Sequence, residues 1–263
     1  MFKKKYILVF LITFVFSLNL FIKDSISKDS LDNKKILEII MKERYYLKND
    51  IAIHKPNKYI TKKYPDLYSE IYDFETKIVL KYPFYENKLE KVLIITQSDI
   101  KDSSCHVCSP VVGMVILVKN KDTWDIEGSY DYTEKIGTFG SIPIPKIYEN
   151  KNKNKLIVFE DSYSGMGTTT KRVYIISKVK NQFKQVFYDD ETYYDNLGMC
   201  GNVTKTKCVC LSSKFDFIKN DKEFQDINVK KFGTIFDNNG KIKKVNEVRK
   251  YFFDSKNYKL FKN

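Results

Sequence analysis

After Tyr85 the sequence breaks into short apolar runs separated by turn residues, and this punctuation constrains the fold more than any other feature. Residues 92–96 form one run, and residues 111–118 form a second, followed by a turn at 119–122. Trp124 and Ile126 begin a return strand. Residues 156–159, 173–176 and the group Phe183, Val186, Phe187 then repeat the three elements, with a turn near Lys180 and Asn181. Aligning Val115-Ile116-Leu117-Val118 with Val173-Tyr174-Ile175-Ile176, and Trp124 with Phe183, suggests a duplicated unit of about sixty residues. A looser third copy is expected from Cys208 onward, with Asp237-Asn238-Asn239-Gly240 as its hairpin turn. Connections this short cannot cross over, so an antiparallel meander is predicted.

The segment 28–84 reads differently, as helical. Residues 33–48 place Leu37, Ile40, Met41 and Leu47 on one face, with Asp32 or Ser30 as the cap. A second helix is predicted from Pro65, because Leu67, Ile71, Phe74 and Ile78 recur at helical spacing until Pro83. The expected class is α+β: N-terminal helices packed on a mostly antiparallel β-meander, a sandwich or partial propeller, in a β-rich domain over 85–263.

Lys3, Lys4 and Lys5 precede an apolar run from Tyr6 to Ile22. A basic patch before an apolar stretch is an export signal, so 1–27 is read as a signal peptide or a signal anchor. Ser25 and Ser27 suit a cleavage site, while an uncleaved run at 6–22 would anchor the chain to the membrane. The folded part is therefore expected in the periplasm or outside the cell. No cysteine precedes Cys105, which excludes a lipid anchor on an N-terminal cysteine. The net charge is +13, but the lysines are scattered and no arginine-dense track is present, so nucleic acid is not an expected partner. Membrane contact is expected only through an uncleaved signal segment.

Five cysteines lie at 105, 108, 200, 208 and 210. In an exported chain all five are disulfide candidates, and their odd number leaves at least one unpaired within the chain. Cys200 can close a short loop with Cys208 or with Cys210, and Cys105 can pair with Cys108, or one of those two can reach across to the cysteine left over. The cluster Cys105-His106-Val107-Cys108-Ser109-Pro110 is not a haem attachment site, because no histidine follows the second cysteine. A thiol-redox centre would need a helix after the pair, whereas residues 111–118 are strand-like. A zinc or copper site drawn from Cys105, His106, Cys108, Cys208 and Cys210 is the alternative to structural disulfides. No catalytic residue or cofactor site is predicted. Asp161-Ser162-Tyr163-Ser164-Gly165-Met166-Gly167 lacks the glycine two residues before either serine that a nucleophile elbow requires. Asp189, Asp190 and Glu191 have no calcium-loop spacing and read as a solvated turn, and His54 reads as a turn residue.

Three blocks in order, Cys105-His106-x-Cys108-x-Pro110-x-x-Gly113, Gly137-x-Phe139-Gly140-Ser141 and Tyr163-Ser164-Gly165-x-Gly167, resemble a group of uncharacterised bacterial exported proteins over residues 100–190. The resemblance implies an envelope location and a shared loop, and no mechanism. The function expected from these readings is non-enzymatic binding of a protein or other envelope component through disulfide-braced loops. The rival is a metal-binding or thiol-redox protein.

Overall fold

Strands pair with their neighbours in sequence throughout a computed structural model that describes residues 31–42, 45–56, 58–65, 72–102, 109–150, 152–200, 207–218, 220 and 222–261. The predicted signal segment and Cys105, His106 and Cys108 lie outside the described residues. The chain is mostly antiparallel β, in two sheets. The first runs in the order β1 (Tyr45–Lys48), β2 (Ile51–His54), β3 (Phe74–Glu86), β4 (Leu89–Ile100), β5 (Val111–Asn120) and β6 (Thr123–Lys135). The second runs from β7 (Lys146–Glu149) through β8 (Lys155–Gly165), β9 (Thr168–Val179), β10 (Gln182–Asp195), β11 (Cys210–Ile218), β12 (Asp226–Phe236) and β13 (Ile242–Phe253) to β14 (Tyr258–Leu260).

The apolar runs become strands buried on both faces. In β4, Leu93 and Ile95 join one cluster while Val92 and Ile94 join another. In β8, Ile157 and Phe159 face the first sheet, while Leu156 and Val158 face the opposite way. Alternation along a strand sends successive side chains to opposite faces, so a strand covered on both sides must be apolar at every position. Three layers of core result. Ile36 and Ile40 of the helix α1 (Asn33–Met41) lie with Val92, Ile94, Val115 and Leu117 on the outer face of the first sheet. The inner face of that sheet packs on β8 and β9. The second sheet then curls so that Ile227 and Val229 of β12 and Tyr258 of β14 close over Val158, Ile175 and Phe187. Each fully buried Ile, Leu or Phe contributes roughly 1.5–3 kcal/mol.

Two expectations are corrected. The helix predicted over 65–83 is replaced, over its described part, by the long strand β3. Phe74 and Thr76 alternate inward, and a register shift between Ile78 and Leu80 moves the alternation by one residue. Phe74 and Ile78, four residues apart, fit a strand face as well as a helical stripe, while Leu67 and Ile71 lie outside the described residues. Pro83 is tolerated because β2 pairs only with 74–77, leaving β3 at the sheet edge there. The first predicted helix is also shorter. It starts on the Asp32 cap, whose side chain accepts from Lys35 N at 2.7 Å, and ends at Met41. Asn49 and Asp50, both at positive φ, then turn the β1–β2 hairpin inside the segment read as helical. A second short helix, α2 (Lys58–Lys63), follows β2.

The duplicated unit can be compared directly. Asn120 pairs with Thr123 at the end of one hairpin, and Val179 pairs with Gln182 at the end of the other. Lys121 and Lys180 take the same positive φ in the two turns. These hairpins align Trp124 with Phe183 as expected, but they align Val115 with Tyr174, one residue away from the sequence alignment. The predicted turn at 237–240 does join β12 and β13, with Asp237 N donating to Lys241 O at 2.8 Å. Among the described residues, no helix is long and apolar enough to cross a membrane.

Candidate functional site

Four large apolar side chains stand exposed where the β8–β9 tip meets the β10–β11 loop: Tyr163 at 41%, Met166 at 96%, Leu197 at 56% and Met199 at 43%. The backbone beneath them is closely fitted. Met166 and Gly167 both have positive φ and form the two-residue turn that closes the hairpin at Gly165–Thr168. Gly198 N donates to Gly167 O at 3.0 Å. A Cβ on Gly167 would lie 2.5 Å from Met199 Cγ and 2.8 Å from Gly198 C, so the tip and the loop touch with no room for a side chain. The Tyr163 hydroxyl would lie 2.7 Å from a Cβ on Gly165, which folds that ring over the same tip.

Asn196 organises the loop from below. It is buried, its Nδ2 donates to Lys207 O at 2.9 Å, and its Oδ1 accepts from Val209 N at 2.8 Å. Its carbonyl accepts from both Met199 N and Cys200 N. Asp195 accepts from Leu197 N at 3.1 Å. A Cys200–Cys208 disulfide, with Cα atoms 5.2 Å apart, then closes the loop. Cross-linking a loop of this length restricts the unfolded chain and stabilises the fold by about 2–3 kcal/mol.

The predicted site residues fall in different places. Cys200 and Cys208 are paired, so Cys208 offers no thiolate. Cys210 is a free, half-buried thiol on β11. Its neighbour Tyr193 is hydrogen-bonded to Asp195, and that bond, then burial and Cys210 itself, push the phenol up. Lys171 lies 5.0 Å over the Tyr193 ring. Cys105, His106 and Cys108 lie outside the described residues. Among the described residues, no three His, Cys, Asp or Glu side chains gather in a way that could hold a metal ion.

The remaining polar motifs are held by structure. Asp189 is not in a solvated turn. It is buried and pairs with buried Lys231 of β12 at 3.0 Å, and Lys231 also donates to Glu191 O. His54 Nε2 lies 2.8 Å from Thr76 Oγ1 and Nδ1 lies 2.8 Å from Lys55 O, and burial pushes its pKa down. Ser164 Oγ lies 3.1 Å from Thr169 Oγ1 across the hairpin. The cleft of about 280 Å³ between the sheets is lined by Phe84, Glu127, Lys155 and Lys178 among others, and Glu127 and Lys178 there pair with each other. Glu127 bridges Lys91 at 2.5 Å and Lys178 at 2.6 Å. Burial opposes its ionisation, yet the two lysines hold its carboxyl below the usual range.

Met166, Leu197 and Met199 were not among the residues the sequence singled out. The available signal was an apolar residue between two glycines, Gly165 and Gly167, and two more just before Cys200. Compared with known proteins, the chain matches no family model, no characterised sequence and no solved structure.

Proposed function

We propose that this is an exported, non-enzymatic binding protein, and that it engages a protein partner through the apex of Tyr163, Met166, Leu197 and Met199. The observation that carries this reading is the combination of exposure and rigidity. The Met166 side chain is almost wholly exposed on a turn whose backbone is fixed by Gly198 and braced by a disulfide. Apolar side chains carried on a fixed backbone spare the cost of ordering that backbone when a partner covers them, and methionine adapts its shape to an apolar surface. The N-terminal export pattern supports a disulfide-permissive compartment, in keeping with the Cys200–Cys208 bridge.

The test places a photo-crosslinking amino acid at 166 in the full chain, expressed in its native host. The expected result is one discrete crosslinked species. It should be lost in a Cys200→Ser/Cys208→Ser background and absent when the crosslinker sits at exposed Lys180. Equal crosslinking from 166 and 180, or none from 166, overturns the reading. The double serine variant should also unfold at lower denaturant, by about 2–3 kcal/mol.

A further inference from the structure

The curled end of the second sheet covers the core with one face and leaves the other open. Ile227 and Val229 point inward, so Asn228, Lys230 and Phe232 point outward. Register extends that outer face across the sheet. Lys230 lies between Lys214 of β11 and Val248 of β13, Asn228 between Asp216 and Lys250, and Phe232 between Ser212 and Asn246. In an antiparallel sheet with one wet face, that face is normally polar. Here Phe232 is 51% exposed, Val248 53% and Phe261 58%. At one end, Ile218, Phe252, Phe261 and Lys250 line an open groove of about 480 Å³. The Phe252 and Phe261 rings meet edge to face, with centroids 6.1 Å apart.

The charge on this face is net basic. Lys214, Lys222, Lys230, Lys250 and Lys259 stand on it or at its groove against Asp216, Asp226 and Asp254: Asp216 sits 3.4 and 3.5 Å from Lys214 and Lys230, Asp226 2.7 Å from Lys222, and Asp254 3.8 Å from Lys259. Among the described residues, no carboxylate pairs with Lys250. Two such faces would repel, so a second copy of the chain is a poor occupant. Phenylalanines set among lysines on a broad surface suit the boundary of an anionic bilayer. There the rings bury into the acyl boundary and each lysine near the surface adds attraction to the headgroups. The sequence also carries a lysine-flanked apolar run at 6–22, of the kind that brings a chain to a membrane.

We infer that the outer face of β11–β14 docks on anionic phospholipid, through Phe232, Val248, Phe252 and Phe261, with Lys214, Lys230 and Lys250 on the headgroups. This surface is distinct from the methionine apex and does not depend on it.

The test uses the full chain with Trp124→Phe and Phe232→Trp, reconstituted into phosphatidylcholine vesicles containing about one part in three phosphatidylglycerol, the acyl chains brominated. Because the readout is local to position 232, an N-terminal anchor alone does not produce it. A matching denaturation midpoint first shows that the variant folds as the Trp124→Phe parent does. The tryptophan at 232 is expected to be quenched by bromine at low salt, and to be unquenched in pure phosphatidylcholine. Changing Lys214, Lys230 and Lys250 together to Gln should lower the docked-to-free ratio about 100-fold. Three results overturn the inference. One is a tryptophan that stays unquenched over anionic vesicles. Another is quenching that is equal on neutral lipid. The last is an unquenched tryptophan in a chain that sediments as a dimer, which assigns the face to a second copy.

Discussion

Strands β8 and β12 belong to the same sheet, yet one is apolar on both faces and the other on only one. Phe159 in β8 is fully buried between the sheets, while Phe232 in β12 is 51% exposed. Lys230 and Lys231 in β12 make the same contrast within two residues, the first exposed and the second buried on Asp189. The difference teaches that a residue's type does not set its energetic weight here. What covers the strand does. The first sheet and the curled end together give β8 and β9 two partners, while β12 and β13 have one.

The contrast should show most strongly in the phenylalanines. Phe159→Ala leaves a cavity in a closed core and should cost about 3–5 kcal/mol by urea denaturation. Phe232→Ala should change stability by less than about 0.5 kcal/mol. Similar losses at both sites would mean that something in the folded chain covers β12 after all. Next come the lysines. Lys231→Met strands the Asp189 carboxylate in the core and should cost about 3 kcal/mol, whereas adding Asp189→Leu should restore most of the loss. Lys230→Met should be nearly neutral. If the double variant stays as unstable as the single one, the pair is not what holds β10 against β12.

The smallest effect concerns the first sheet. His54 is held neutral by burial, with its folded pKa below the unfolded value of about 6.5. The unfolded chain therefore takes up the proton first as pH falls. Stability contributed by neutral His54 is present above that value and lost as pH drops through it. The urea midpoint should decline as pH falls below about 6.5, and His54→Gln should flatten that part of the slope. An unchanged slope would show that the ring's contacts to Thr76 and Lys55 do not distinguish its two protonation states.

The doubly buried strands were the most legible part of the chain, because burial on both faces writes a continuous apolar run such as residues 92–95 or 156–159. The turns at Lys180-Asn181 and 237–240 were legible from local backbone preference alone. β3 was not. It is covered unevenly, and the four-residue spacing of Phe74 and Ile78 is shared by a helical stripe and by one face of a strand. The duplication was seen with a one-residue error, since runs without alternation carry no mark of which face each residue takes. At the apex, Cys200 and Cys208 were named as partners by their spacing, with Cys210 as an equal alternative. What separates them is that Cys208 lies in the loop before β11, whereas Cys210 is already the first residue of that strand, paired with Asp195 of β10. The exposed methionines carried no pattern, because exposure of single apolar residues depends on what the rest of the chain leaves uncovered.

Within each sheet, every strand after the first lies beside the strand that precedes it in the chain. A chain emerging amino-terminus first can therefore add each strand to an edge that already exists, without waiting for a distant partner. Local pairing of this kind lowers the entropy of each closure and favours rapid assembly. The packing of β12 to β14 over β8 to β10 must await residues 226–260, so this last stretch of strands governs when the protein becomes fully protected.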